Sequence, residues 1–281
     1  MMPPGAIQEY PLTIIRPSRG WAALRWRELW EYRELLYFLV WRDVKVRYKQ
    51  TVFGVAWAVL QPLVAMVIFS TFFGRLAKMP SDGIPYPVFA YCGLLPWQLF
   101  AHALNESGNS LIANERLITK VYVPRPIIPC AAVLAGLVDF GISFLVLLGM
   151  MAAFGVAPTA AVITLPAFIV LAIAAALAVG LWLSALNVQY RDVRYTIPFL
   201  TQFWLFATPV VYPSSLVPES WRWLVGLNPM AGVVEGFRWA LLGKAEGPGA
   251  LLAVSVVVVL IMLIGGVYYF RRMERTFADV V

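Results

Sequence analysis

Few side chains in this 281-residue chain are equipped for chemistry, and they do not gather as a catalytic site would. His102, Asn105, Glu106 and Asn109 recur at i, i+3, i+4 and i+7, which places four polar groups on one helix face. Such a stripe either lines a polar conduit or marks where a helix emerges into an aqueous interface. Asp139 stands alone as an acid in the apolar run "AGLVDFGIS". A carboxylate there is costly to bury, and without a second acid nearby in sequence a structural partner fits better than a proton relay. Glu235 and Arg238, at i and i+3, are expected to pair locally and hold the fold. The lone histidine lacks a carboxylate-and-cysteine context, and no cluster has metal-ligand spacing. A phosphate loop is missing too: Gly243-Lys244 is followed by Ala245 and preceded five residues earlier by Arg238. The expectation is a chain that is not an enzyme and carries no cofactor or metal, so that any ATP is bound by another chain.

The elements that must position these residues are apolar ones. Hydrophobic residues make up 61% of the chain and charged residues 13%, against roughly 25% charged in an ordinary soluble domain. This composition belongs to an integral membrane protein. Its net charge of +7 reads as basic cytoplasmic loops rather than as a nucleic-acid surface. Cys92 and Cys130 both lie in apolar stretches and read as small buried hydrophobes. The first apolar run, around Leu35 to Trp41, is short and hemmed by charge, so no signal peptide is expected.

A hydrocarbon core of about 30 Å takes about 20 helical residues to cross. Continuous apolar runs near 52–74, 87–111, 129–154, 161–186, 196–212 and 250–270 give six expected spans, with the second interrupted at Pro96 and the fifth kinked at Pro209. Continuity, as opposed to alternation, selects helices over a barrel. Of the 22 Lys and Arg residues, 17 fall before span 1, between spans 2 and 3, between 4 and 5, and after 6, leaving 5 for the other loops. Both termini are therefore expected in the cytoplasm.

The expected fold is all-α and membrane-integral. Residues 1–51 form a cytoplasmic segment with an amphipathic interface helix, 52–270 a six-helix domain, and 271–281 a cytoplasmic tail. In the first segment Leu29, Tyr32, Leu36, Val40 and Val44 recur at helical spacing, and Trp30, Tyr37 and Trp41 suit headgroup depth. Residues 213 to 248 are too polar and proline-broken to span, yet too apolar for a free loop. Two short re-entrant or interfacial helices are expected there, around Glu219 to Gly226 and Met230 to Leu242, with the turn at Asn228-Pro229. No internal repeat suggests an inverted-repeat transporter. Aromatics concentrate in two spans: Trp57, Phe69, Phe72 and Phe73 in the first, and Phe199, Phe203 and Phe206 on one face of the fifth. They form either a packing belt or a smooth track on which a long glycan slides.

Four stretches, "RDVKVRYKQTVFGVAWAVLQPL" (42–63), "YCGLLPWQLFAHALNESGNSLIANERLITKVYVPRP" (91–126), "LNVQYRDVRYTIPFLTQFWLFATPVVYP" (186–213) and "LNPMAGVVEGFRWALLG" (227–243), resemble the permease subunits of ABC-2 exporters of bacterial surface polysaccharides, particularly O-antigen. The likeness runs from about residue 30 onward. It implies a homodimer of six-helix subunits in the bacterial inner membrane, docked on two separate ATPase subunits that carry ATP and Mg, with an export path lined by spans 1 and 5. The implied cargo is a polysaccharide on a polyprenyl diphosphate; teichoic acid or another ABC-2 cargo is the alternative, and a membrane-embedded glycan-processing enzyme is a more distant one. On this resemblance the charged connector "NERLITKVYVPRP", with Asn114, Glu115, Arg116, Lys120 and Arg125, becomes the coupling element, stiffened by prolines that fix φ. Arg42, Lys45, Arg47 and Lys49 would then attract the lipid diphosphate, or merely obey the positive-inside rule and meet anionic lipid.

Overall fold

The computed structural model describes residues 30–49, 54–121, 123–243, 247, 249–274 and 277. The expected features that fall on residues 1–29, 50–53, 122, 244–246, 248, 275, 276 and 278–281, among them Leu29, the first residues of span 1 and most of the C-terminal tail, lie outside the described residues. The described residues are all-helical, without a strand. In chain order the helices are α1 (Arg33–Lys49), α2 (Ala56–Phe69, continued by a π-helical segment, Ser70–Leu76), α3 (Tyr86–Ala113), α4 (Glu115–Lys120), α5 (Ile127–Ala153), α6 (Leu165–Gln189, preceded by a 3-10 turn at Ala160–Thr164), α7 (Val193–Ala207), α8 (Glu219–Gly226), α9 (Pro229–Leu242) and α10 (Ala250–Met273). Four of them are long and apolar enough to cross a membrane: Ala56–Leu76, Ile127–Ala153, Ala160–Gln189 and Ala250–Met273.

Helix α3 is the axis of the fold. It packs along α5 and α6, takes α2, α7 and α9 against its other sides, and buries Phe89, Tyr91, Leu95, Phe100 and Leu104. Pro96 was expected to interrupt it, yet the helix runs unbroken from Tyr86 to Ala113. The proline removes one hydrogen bond, but it is buried among neighbouring helices whose packing on both sides of it holds the helical path. The opposite outcome holds at Pro209. Helix α7 ends at Ala207 instead of bending, because Thr208, the residue before the proline, is driven to an extended conformation (φ −99°, ψ 139°). At 15 residues α7 is about 22 Å long, short of a full hydrocarbon core by itself.

The carbonyls released beyond α7 are collected by Arg238 of α9, a residue only 2% exposed. Its guanidinium donates to the carbonyl oxygens of Pro209 (2.6 Å), Val210 (2.5 Å) and Tyr212 (3.3 Å) and to Glu235 Oε1 (3.2 Å). The same group stacks 3.7 Å from the Phe89 ring centroid. The expected Glu235–Arg238 pair is present, and the larger part of the arginine's bonding goes to backbone that sequence reading had not connected to it. Gly93 of α3 has to be glycine here, since a Cβ would come within 2.8 Å of Arg238 Nη2 and 3.0 Å of the Val210 carbonyl oxygen.

Asn228 ties the same corner. Its Oδ1 accepts from the backbone N–H of Met230 (3.0 Å), capping α9, and from Trp204 Nε1 of α7 (3.0 Å), while its Nδ2 donates to Thr208 Oγ1 (2.8 Å) and the Ala207 carbonyl (3.2 Å). The Asn228-Pro229 turn and the two short helices expected around it are therefore found, at Glu219–Gly226 and Pro229–Leu242. Asn228→Ala is expected to lower stability by about 1–2 kcal/mol through loss of the cap. A lower melting temperature of the detergent-solubilised protein checks it.

Candidate functional site

Three groups of residues are presented where a partner or substrate would meet them. The first is α4, a single charged turn and a half. Asn114 separates it from α3: its backbone leaves the helical region (φ −111°, ψ 25°), its side chain donates to the Ser110 carbonyl (2.8 Å), and its own carbonyl accepts from Leu117 and Ile118. Glu115, Arg116 and Lys120 are exposed on α4, whereas Leu117 and Ile118 point inward. Arg125 lies beyond it, with its guanidinium 5.9 Å from the Phe277 ring centroid. Of the five connector residues, Asn114 and Arg125 thus serve the local structure, and Glu115, Arg116 and Lys120 form the outward surface.

Sequence reading missed Leu117. It packs into two separate apolar clusters, one with Leu39 of α1 and Ile127 and Ala131 of α5, the other with Leu111, Leu181, Phe270 and Phe277. The α4 turn is therefore wedged between the N-terminal helix and the C-terminal end of the chain. Displacing the wedge would displace both.

The second group is on α1. Its packed side is made by Tyr32, Leu35, Leu36, Leu39 and Val40, and only Leu39 is fully buried. The expected apolar face held Tyr32, Leu36, Val40 and Val44, so Leu39 and Leu35 are additions to it. Tyr37, Phe38, Trp41 and Val46 stay exposed, giving the helix apolar groups on its free side as well. Leu39 meets Ile127 and Ala131 near the start of α5, and Arg47 and Tyr48 reach Asp139 farther along it, so α1 runs beside α5 in the same direction.

The four basic residues of α1 differ in what they touch. Arg47 pairs with Asp139, and Tyr48 donates its hydroxyl to the other oxygen of the same carboxylate. His102 Nε2 of α3 lies 4.0 Å from Asp139 Oδ2. The acid isolated in sequence thus has its partner 92 residues away in α1. Burial, followed by the hydrogen bond and negative charge of Asp139, pushes the Tyr48 hydroxyl well above its ordinary pKa. Arg42 is paired with Asp43 at 2.7 Å, Lys45 Nζ sits 4.2 Å from the Trp41 ring centroid, and Lys49 is exposed. Trp41, Val44, Lys45, Tyr48 and Lys49 line a shallow groove of about 320 Å³.

The polar stripe of α3 is split by its surroundings. His102 joins Asp139, whereas Asn109 accepts from Asn187 Nδ2 of α6 (3.2 Å), whose amide also donates to the Gly108 carbonyl (2.9 Å). The Asn109 amide turns back to the Asn105 carbonyl (2.9 Å). At its far end the stripe is a helix-to-helix tie.

The third group is aromatic. Trp57 and Phe72 of the first span and Phe199, Phe203 and Phe206 of α7 are all more than half exposed, while Phe69 and Phe73 are half-buried and meet edge to face at 5.8 Å. Phe199 and Phe203 are adjacent, with centroids 4.8 Å apart. Helices α2 and α7 both pack on α3, so it supports both aromatic faces.

The sequence matches the ABC-2 type transporter family over residues 34–242. This chain belongs to that family. The ABC-2 chain is 34% identical over 255 residues to an O-antigen export system permease protein of Myxococcus xanthus, a match covering 88% of this chain and 96% of the relative. An O-antigen export system permease protein of Klebsiella pneumoniae is 27% identical over 249 residues, covering 88% and 95%. The polysialic acid transport protein of Escherichia coli is 24% identical over 236 residues, covering 83% and 91%. The resemblance read from the four sequence stretches is thereby borne out. The ABC-2 chain is a multi-pass membrane protein of a transport family, and these relatives are named as permease or transport proteins.

Proposed function

We propose that this chain is the membrane subunit of an ABC exporter that moves a polyprenyl-diphosphate-linked polysaccharide of O-antigen type from the cytoplasmic to the periplasmic side of the bacterial inner membrane. The observation that carries the reading is the near full-length likeness to O-antigen export permeases. In this reading α3 and α7 join the four long apolar helices as spans, with the non-helical Thr208 to Tyr212 segment completing the fifth crossing and α8 and α9 entering the membrane from the far side. Both termini and α4 then face the cytoplasm, in keeping with the distribution of Lys and Arg.

The active unit is a homodimer with two ATPase subunits, which bind ATP and Mg. The outward charges of α4 fit an ATPase surface, and the wedge at Leu117 gives that surface mechanical access to α1 and α10. The exposed rings of α2 and α7 suit a glycan track, because sugars stack their C–H faces on aromatic rings and any sequence of sugars offers such faces. A diphosphate at the membrane surface is attracted to the basic residues of α1, where Lys45 and Lys49 border the groove and Arg47 sits next to the groove residue Tyr48 in the chain, paired with Asp139.

Purification of the tagged chain from its native membranes tests the reading. An ATPase with its own phosphate loop is expected to co-purify in equal amount, and deletion of the chain is expected to leave lipid-linked polysaccharide in the cytoplasmic leaflet. A stable preparation free of any ATPase in several mild detergents would overturn it.

A further inference from the structure

The Arg47–Asp139–Tyr48 cluster does more than satisfy a half-buried acid, because Tyr48 belongs to two places at once. One side of it lines the α1 groove with Lys45 and Lys49; its hydroxyl is bonded to Asp139 on α5. Arg47 precedes it and holds the other oxygen of the same carboxylate. Nearer its start α1 also packs through the small cluster around Leu39 against the beginning of α5. The C-terminal end of α1, a few residues before span 1 begins, is thus tied to α5 at Asp139 by two adjacent side chains.

We propose that Asp139 senses whether the α1 groove is occupied: an anionic diphosphate headgroup seated beside Lys45 and Lys49 draws Arg47 and Tyr48 off Asp139 and releases the end of α1 from α5. The inference rests on the diphosphate reading given above and adds its regulation. A diphosphate outcompetes a single carboxylate for arginine because it carries more charge and offers several oxygens to the guanidinium fork. A half-buried carboxylate stripped of its partners is left undercompensated, so release is favoured by a substitute. His102 supplies it. Its Nε2 is buried, has no hydrogen-bond partner among the described residues, and stands 4.0 Å from Asp139 Oδ2, so a small rotation brings it into hydrogen-bonding range. Cargo arrival at the groove is thereby turned into movement at the entrance to span 1.

The test uses the full chain in lipid nanodiscs with nitroxides at Val46 on α1 and Leu145 on α5, both well exposed. Polyprenyl diphosphate is expected to lengthen the Val46–Leu145 distance by several ångströms, and phosphatidylglycerol in the disc is not. Asp139→Asn is expected to show the lengthened distance without ligand and to bind polyprenyl diphosphate about tenfold more tightly, since the competent state no longer has to be won from a competing carboxylate. Asp139→Glu keeps the charge and is expected to restore the wild-type distance. Binding of polyprenyl diphosphate by the wild-type chain with no change in distance would overturn the sensor while leaving the substrate reading intact. A distance that responds equally to phosphatidylglycerol would also overturn it. Failure of the wild-type chain to bind polyprenyl diphosphate would overturn both.

Discussion

Replacing Arg238 by leucine is expected to remove the protein from the membrane. The substitution leaves the carbonyls of Pro209, Val210 and Tyr212 without their donor, strips Glu235 of its ion pair, and takes the cation off the Phe89 ring. Removing one partner of a buried ion pair costs about 3–5 kcal/mol, and the orphaned backbone groups add to it. That is a large fraction of the 5–15 kcal/mol that typically separates a folded domain from its unfolded chain. The variant is expected to accumulate at a small fraction of the wild-type level in membranes and to be degraded, as read by quantitative blotting. Arg238→Lys keeps the charge but offers one compact ammonium in place of a planar fork, so it is expected to recover only part of the level. A wild-type amount of stable Arg238→Leu protein would show that the carbonyls find other donors.

The second large effect is expected at α4, and it is of a different kind. Arg116→Glu together with Lys120→Glu reverses the outward charge of the turn while leaving Leu117 and Ile118, which hold it in place, untouched. Both charges are exposed, so stability is expected to change little. Export, in contrast, is expected to fall by at least about tenfold, because like charges opposed across an interface cost several kcal/mol. Surface polysaccharide staining reads the loss, and ATP hydrolysis by the purified complex shows whether the ATPase still turns over without moving cargo. Normal export in the double variant would remove α4 as the coupling surface. Leu117→Ala gives a complementary result: the surface stays intact and the wedge is lost, so the ATPase is expected to remain bound while export drops.

The sequence by itself determined the helical, membrane-integral character of this protein, because uninterrupted apolar runs of about 20 residues have one inexpensive solution in lipid. It also determined the places of the local punctuation. The helix Glu219–Gly226, the Asn228-Pro229 turn and the Glu235–Arg238 pair were readable because prolines and i, i+3 pairs act over one turn of backbone. Four stretches of the chain sufficed to place it in the ABC-2 family.

Only the tertiary structure decided what those residues touch. Pro96 and Pro209 look alike in sequence, yet one lies inside a continuous helix and the other ends one, since the surrounding packing and the conformation of the preceding residue settle the matter. The central position of α3 is invisible along the chain, since it is decided by contacts with α2, α5, α6, α7 and α9, which lie at many different distances in sequence. Asp139 announced that it needed a partner without saying which, and its pairing with Arg47 spans 92 residues. Arg238 was read through Glu235, three residues away, while most of its bonds go to carbonyls 26 to 29 residues earlier. Leu117 gave no signal at all within a connector read for its charges. Its place between two clusters exists only once α1, α5, α6 and α10 have come together around it.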